Sequence, residues 1–196
     1  MTEQKIIEAS LECFAQSGYE NTSLSDIADK VGIKKPSLYN HFSSKEAIFL
    51  RVLEEVAHKE LNHLKGFTEY TQDRSIKEQI HEVFNLYVDH MSYSTEGAFF
   101  KRFTFFPPEE FAEEILKVFL RTEEQVIKII GPIFQRGIDT GVIRPLQLSE
   151  LTSTFYTIID GLFLEENFYD KETLIERQKA SFKIFWLGIQ AASQEE

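Results

Sequence analysis

Apolar residues recur at steps of three and four along most of the chain, which is the spacing of helices that bury one face. Ile7, Leu11 and Phe14 form one such stripe near the N-terminus. This first helix should end at Gly18, because glycine readily adopts the left-handed conformation that closes many helices. No region resembles a series of strands, so the pattern predicts an all-α protein.

A second helix is predicted to begin after Ser23. Ser23 and Asp26 have the spacing of a capping box, in which each side chain bonds the backbone N–H of the other residue. Ile27 and Val31 would face inward, and Gly32 is expected to end the helix.

Pro36 is expected to open a short third helix that continues through Phe42, since proline is tolerated in the first turn of a helix. Ser43 and Glu46 repeat the capping-box spacing. They predict a long fourth helix over about 44–65.

The same periodicity predicts further helices beyond Gly66, where the fourth helix is expected to have ended. Pro107-Pro108 should separate two of them, and Gly131-Pro132 should kink another. The predicted ranges are 73–92, 95–105, 108–118, 119–138, 147–168 and 171–191. We therefore expect a three-helix helix-turn-helix head at 1–47, joined by the long helix to a larger helical body at 48–196.

The charge distribution decides which part of the chain can face nucleic acid. The 196-residue chain has a formal net charge of −11, which opposes DNA binding in general. However, positions 30–45 contain four lysines and no acidic residue. Any DNA-binding surface should therefore be a local patch on the head.

The third helix has the arrangement that a recognition helix requires. Leu38 and Phe42 lie four residues apart and should both point into the small core, which leaves the polar residues of the helix on its other faces. The N-termini of the second and fourth helices, at Thr22-Ser23 and Lys45, are suited to holding phosphates.

Residues 18–49, GYENTSLSDIADKVGIKKPSLYNHFSSKEAIF, resemble the N-terminal signature of TetR-family transcriptional regulators, and the similarity extends over about 5–52. The resemblance implies an operator-binding homodimer, with repression as its output and release by a small ligand. It implies that the head at 1–47 is the DNA-binding domain and that the body at 48–196 is a ligand-binding and dimerisation domain. It also implies that some head residues contact phosphates (Thr22, Tyr39, His41 and Lys45) and that others face the bases (Lys35, Ser37 and Asn40).

This sequence departs from the family pattern at the start of the third helix. Lys34 stands where a Ser or Thr cap is usual, and Pro36 replaces a Gly or Ala. About 1 kcal/mol of capping energy is forgone, although a lysine there could add a phosphate contact. The candidate DNA-contacting residues are thus Thr22, Ser23, Lys34, Lys35, Ser37, Tyr39, Asn40, His41 and Lys45.

Phenylalanine is concentrated in the centre of the chain, where six of the eighteen lie within 98–111. The rings could fill an ordinary core or line an apolar cavity, and periodicity does not separate these alternatives; the resemblance favours a cavity for a hydrophobic or aromatic effector. The candidate lining residues are Phe84, Tyr87, Phe99, Phe103, Phe106, Phe119, Phe134, Phe155 and Tyr156.

The last two predicted helices carry apolar residues on more than one face, which suggests a second buried surface. In TetR-family proteins that surface is a four-helix dimer interface. The candidate interface residues are Leu151, Phe155, Ile158, Leu162, Phe182, Phe185 and Ile189. Two-fold symmetry would place two heads about 34–36 Å apart, on successive major grooves of a palindromic site.

Other classes of protein find little support in the sequence. An enzyme is the main alternative, but there is no GxSxG elbow, phosphate-binding glycine loop or HExxH motif; the second alternative, a purely structural helical dimer, would leave the DNA-facing residues unexplained. The single cysteine, Cys13, cannot form an internal disulfide, and the histidines lack metal-ligand spacing. We expect no metal, no cofactor and no membrane segment, and a cytoplasmic location.

Overall fold

The computed structural model describes residues 2–192, which form helices joined by short connections. The α-helices are α1 Thr2–Ser17, α2 Leu24–Val31, α3 Lys35–Leu38, α4 Lys45–Tyr70, α5 Ile76–Tyr93, α6 Thr95–Phe105, α7 Ala112–Asp139, α8 Leu148–Glu165 and α9 Lys171–Ile189. A 3₁₀ turn at Glu109–Phe111 precedes α7. The predicted all-α fold is confirmed: between residues 2 and 192 the extended pairing is limited to an isolated bridge between Ile143 and Gln190. None of the helices in this range is long and apolar enough to cross a bilayer.

The first two helices begin and end where local sequence signals predicted. Gly18 and Gly32 have φ angles of 80° and 79°, the left-handed conformation in which glycine is favoured. Ser23 Oγ accepts the Asp26 N–H at 3.2 Å, and Asp26 accepts the Ser23 N–H at 2.8 Å. The predicted capping box of α2 is therefore confirmed.

The third and fourth helices differ from prediction at their ends. α3 ends at Leu38, and Phe42 lies beyond it in a turn, where its N–H bonds the Leu38 carbonyl at 3.0 Å. The predicted box at Ser43 is wrong, because the Ala47 N–H is capped by Ser44 Oγ at 3.0 Å. Ser43 and Ser44 are both candidate caps by sequence, and the path of the backbone decides which hydroxyl reaches an N–H of the first turn.

Two predicted helix breaks are also absent. α4 continues through Gly66 to Tyr70, and a single helix, α7, replaces the two predicted around residue 118 and passes through Pro132. Burial of Leu64, Ile130 and neighbouring apolar residues offsets the helix penalty, which is about 1 kcal/mol for one glycine and about 3 kcal/mol for one proline.

The chain divides into two compact units. We call residues up to 61 together with 93–122 the head unit, and residues 62–92 together with those from 123 onward the tail unit. The head unit contains α1 to α3, the first part of α4, α6 and the start of α7, so its limits differ from the predicted boundary after residue 47. That boundary stays a prediction for the DNA-binding domain itself.

The tail unit has an aromatic core. The ring of Phe155 lies 5.7 Å from Phe84, 5.6 Å from Phe134 and 5.8 Å from Phe185, measured between centroids. Phe182 joins the cluster at 5.4 Å from Phe84. Tilted and edge-to-face contacts of this kind stabilise beyond the burial of area alone.

Gly137 and Gly66 provide a matched test of packing in the tail unit. A Cβ at Gly137 would lie 2.5 Å from Ile143 Cδ1, whereas one at Gly66 would meet nothing within 4 Å. We expect Gly137→Ala to lower the free energy of unfolding by about 1–3 kcal/mol through overpacking. Gly66→Ala should raise it by about 0.5–1 kcal/mol, because alanine favours the helix. Urea unfolding measures the free energy of unfolding of both variants. Changes of the same sign and size would contradict this packing.

Candidate nucleic-acid interface and ligand cavity

The α2–α3 pair buries one set of side chains and exposes another to solvent. Ile27, Ala28 and Leu38 are at most 1% exposed and form the small core. On the opposite side lie the side chains predicted to read DNA, and Tyr39 is 54% exposed there. The other exposed members of the set are Ser23, Lys34, Lys35, Asn40 and His41, while Ser37 is half-buried. Most of the predicted DNA-contacting residues are therefore accessible to solvent.

Thr22 and Lys45 are engaged inside the chain. Thr22 is 2% exposed, and its hydroxyl lies 2.7 Å from the Gly18 carbonyl oxygen, to which it donates. Lys45 Nζ donates to the carbonyls of Tyr19, at 2.9 Å, and Thr22, at 3.2 Å, and it lies 4.0 Å from the centroid of the Tyr19 ring. The Thr22 side chain is thus unavailable to a phosphate. The bonds of Lys45 hold the α1–α2 turn against the start of α4.

Fewer lysines of the predicted DNA-facing patch are available to DNA than the sequence suggests. Lys30 pairs with Glu12 at 2.6 Å, and the ammonium of Lys45 is bonded as described above. Lys34 and Lys35 remain exposed at the start of α3. Lys34 occupies the N-cap position of α3. Its side chain has no acceptor atom and makes no capping bond, so its ammonium can extend away from the backbone.

Hydrogen bonds with Ser23 hold the pKa of Asp26 below its usual value. The capping box therefore keeps a carboxylate at the N-terminus of α2, where a positive helix end favours negative charge. That carboxylate uses the Ser23 N–H, which narrows the set of backbone groups at this end of α2 that can bind a phosphate.

An aromatic cluster centred on Phe49 joins the DNA-facing helices to α6. The Phe49 ring lies 5.5 Å from Phe14, 4.9 Å from Phe103 and 4.6 Å from Phe111, measured between centroids. Phe99 is a further neighbour at 5.7 Å. A polar link is added by Arg102 of α6, whose Nη2 donates to the carbonyl of Gln16 near the end of α1, at 3.2 Å.

A small cavity lies beside this cluster, within the head unit. It has about 20 Å³ of free space, enough for a water-sized molecule. The lining residues are Leu53, Val56, Ala57, Glu60, Phe99, Phe100, Thr104, Ile115, Val118, Phe119 and Thr122. Phe99 and Phe119 were among the predicted lining residues, whereas Glu60 was missed because a charged residue on a helix ordinarily indicates the solvent face.

The remaining predicted cavity residues lie elsewhere. Phe103 is packed against Phe49 in the core, and Phe106 is 73% exposed after the end of α6. Phe84, Phe134 and Phe155 build the aromatic core of the tail unit. Tyr87 and Tyr156 also belong to the tail unit, with ring centroids 6.4 Å apart. These rings do not line the cavity of the head unit, because periodicity identifies buried faces but cannot distinguish filled space from empty space.

An exposed apolar groove runs between α8 and α9. Its lining residues are Thr154, Ile158, Ala180, Ser181, Ile184, Phe185, Gly188 and Ile189. Ile184 is 66% exposed, and Leu187, about one turn further along α9, is 53% exposed. Two large aliphatic side chains therefore lie on the surface of this helix.

The predicted interface set only partly coincides with this groove. Ile158, Phe185 and Ile189 line it. Leu151, Phe155, Leu162 and Phe182 are at most 6% exposed within the chain and do not line the groove, so their place in an interface stays a prediction. The steps of four from Ala180 through Ile184 to Gly188 were the sequence signal of the exposed face.

The head unit has the structure of a helix-turn-helix protein, and comparison with known families agrees. Residues 6–52 match the family model described as "Bacterial regulatory proteins, tetR family". The match covers α1 to α3 and the start of α4, the elements that carry the exposed DNA-facing residues.

Curated relatives match over most of their length. IcaR of Staphylococcus aureus, a negative transcriptional regulator of the biofilm operon icaADBC, is 25% identical over 181 residues, which is 91% of each chain. The transcriptional regulator YfiR of Bacillus subtilis is 26% identical over 180 residues, covering 86% of this chain and 81% of its own.

Solved structures show the same fold. A tetR-family regulator from Mesorhizobium loti matches with a TM-score of 0.76 at 19% identity, covering 97% of both chains. FadR of Bacillus subtilis, solved in complex with stearoyl-CoA, matches with a TM-score of 0.71 at 19% identity, over 95% of this chain and 99% of that one. Together these findings confirm the resemblance to TetR-family transcriptional regulators: the N-terminal region matches the family model, and nearly the whole chain has the fold of such a protein.

Substitutions at Lys45 and Lys34 test whether the bonded lysine stabilises the fold and the exposed lysine does not. Lys45→Met removes donors from two backbone carbonyls, so we expect it to lower the free energy of unfolding by about 1 kcal/mol. Lys34→Met should change it by less than about 0.5 kcal/mol, because the residue is exposed. Chemical denaturation measures both variants. Equal stability of Lys45→Met and the wild type would show that the internal bonds contribute nothing.

Proposed function

We propose that this protein is a homodimeric repressor that binds a palindromic operator and releases it when a small hydrophobic or aromatic effector binds. The observation that carries the proposal is the exposed polar set on and beside α3: Lys34 and Lys35 lie at its start, and Tyr39, Asn40 and His41 follow its end. A duplex major groove admits a helix of this kind, and polar side chains on it can reach base edges and phosphates. Such a regulator would act in the cytoplasm, where bacterial DNA lies.

The expected roles of these residues differ. Tyr39 and His41, which stand where the family signature contacts phosphates, would position the head in the same way on any sequence. Lys35, Ser37 and Asn40 would face base edges and so select the operator. Ser23, at the N-terminus of α2, would assist on the phosphate side.

The groove between α8 and α9 supports the dimer. An isologous pairing of this face with its copy would form a four-helix arrangement and cover Ile158, Ile184 and Leu187. Exposed aliphatic side chains of this size on one face are a common feature of interaction surfaces. Two-fold symmetry also matches a palindromic operator.

The position of the cavity supports a link between effector and DNA. Lys45 begins α4 beside the DNA-facing turn, and Glu60 lines the cavity 15 residues later, about 22 Å along the same helix. A ligand that enlarges the cavity would move side chains packed against Phe49. If DNA and effector favour different head positions, each weakens the other by the same coupling free energy, about 1–3 kcal/mol.

A regulator is favoured over an enzyme that uses the same cavity. The lining residues include one ionisable group and two threonines, and the Thr122 hydroxyl donates to the Val118 carbonyl at 2.8 Å. Histidine, cysteine and serine, the residues that most often form a nucleophile and its base, are absent from the lining of this cavity.

DNA binding is tested by selecting bound fragments from randomised duplexes and measuring their affinity against salt. We expect Tyr39→Ala to weaken binding to all fragments by a similar factor, because a phosphate contact carries no sequence information. Asn40→Ala should instead change which fragments are selected. Leu116→Ala, an exposed change on α7, is the matched control. No affinity of the wild type for any duplex at low salt would refute the proposal.

The dimer is tested by sedimentation of Ile184→Asp. A charge placed at this 66% exposed position should separate the protomers, because two desolvated carboxylates would face the interface. Leu116→Asp, at a 55% exposed position outside the groove, should leave the oligomeric state unchanged. A wild type that sediments as a monomer, or an Ile184→Asp variant that remains a dimer, would contradict the use of this face.

A further inference from the structure

We infer that His63 and His90 together bind a divalent transition-metal ion of the zinc class. The site lies within the tail unit, where His63 belongs to α4 and His90 to α5. It is independent of the proposed DNA-binding surface, effector cavity and dimer. It also differs from the expectation of no metal, because two histidines on different helices have no telling spacing along the chain.

The first argument is the distance between the two imidazoles. Their ring centroids are 4.2 Å apart, at an interplanar angle of 55°. Two histidines on one zinc ion, with metal–nitrogen distances of about 2.0–2.1 Å, have ring centroids about 4.6–5.3 Å apart. The rings must therefore separate by roughly 0.4–1.1 Å and turn one nitrogen each to a shared point. His63 is exposed, so rotation of its side chain supplies this movement.

The second argument is that packing holds one ligand in place and leaves the other accessible. His90 is half-buried, and the Phe67 ring lies 6.4 Å from it between centroids, at an interplanar angle of 70°. Phe67 also stacks with His63, at 6.2 Å and 16°. One apolar ring thus supports both imidazoles, and the solvent side of His63 is an entry path for the ion.

The further contacts of His90 within the chain are compatible with a bound metal. An imidazole has two nitrogens, and a metal-bound histidine usually keeps a hydrogen bond on the nitrogen that does not bind the metal. Such a contact orients the ring, while the ion binds through the other nitrogen.

The chemistry of two imidazoles defines the class of ion. Histidine nitrogen suits zinc, copper and nickel, whereas magnesium and calcium take oxygen ligands. Within residues 2–192, no group of three or more His, Cys, Asp and Glu side chains is placed to hold a metal. Water would therefore fill the remaining positions on the ion. We expect an exchangeable metal, unlike a structural zinc that is closed by four protein ligands.

The test is calorimetric titration of Zn²⁺ into the full chain, prepared without a histidine tag and freed of metal by a chelator. We expect one zinc ion per chain and much weaker binding of Mg²⁺. His63→Gln should weaken zinc binding at least about tenfold, because even the loss of an outer-shell partner costs about 10–100-fold. His81→Gln, a change at another exposed histidine of the tail unit, should leave the zinc affinity unchanged.

A second measurement distinguishes binding by both helices from binding by one surface histidine. Zinc held by both imidazoles binds the folded chain preferentially, so the melting temperature of the wild type should rise with zinc concentration. The same zinc should raise the melting temperature of His63→Gln and of His90→Gln much less. In NMR spectra of the imidazole groups, the signals of His63 and His90 should shift together while those of His81 stay in place.

Three results would overturn the inference. A wild type that binds zinc no better than His63→Gln would show that the two rings only pack together. An equal loss of affinity in His81→Gln would place the ion elsewhere. Binding of Mg²⁺ as tight as that of Zn²⁺ would indicate oxygen ligands. Because His63 is exposed, His63→Gln should fold, and the test stands even if His90→Gln does not.

Discussion

The packing of Phe49 is the constraint on which the head unit depends. Its ring touches Phe14 of α1, Phe99 and Phe103 of α6, and Phe111 of the 3₁₀ turn. Three short helices alone bury little apolar surface and would be only marginally stable. The aromatic cluster supplies the missing core, so the DNA-facing helices are one compact body with the start of α4 and with α6.

This arrangement places the proposed DNA-binding surface and the proposed ligand cavity on the same set of contacts. Phe99 belongs both to the Phe49 cluster and to the wall of the cavity, and α4 carries Lys45 at one end and Glu60 further along. In a closely packed interior, a side chain that moves forces its neighbours to move, because few voids absorb the change. A ligand seated against Phe99 would therefore affect helix positions near α1 through direct packing.

What the sequence could predict follows the range of the interactions involved. The caps at Gly18, Gly32 and Ser23 depend on partners within a few residues, and their motifs located them correctly. The internal role of Lys45 depends on the carbonyl of Tyr19, which lies 26 residues away in sequence, and no local pattern reveals it. The same limit explains Glu60, because it lines a cavity together with residues of α6 and α7, which are distant from it in sequence.

The two faces of the last helix illustrate a different limit. Periodicity identified Phe182 and Phe185 as a seam, but a helix that is apolar on more than one side has several seams. The structure assigns Phe182 to the core of the chain and leaves Ile184 exposed. Periodicity alone does not say which of these seams packs within the chain and which stays on the surface.

The electrostatics of the head constrain how the proposed complex with DNA can form. Lys30 is paired with Glu12 and Lys45 is bonded to backbone carbonyls, so each head presents chiefly Lys34 and Lys35 from its lysine cluster. Each phosphate neutralised contributes about 0.9 to the slope of log affinity against log salt, so few free cations imply a shallow dependence. The net charge of −11 further opposes contacts away from the head. Affinity must then come mainly from the fit of α3 and its neighbours in the groove, which makes binding sensitive to small changes in head position.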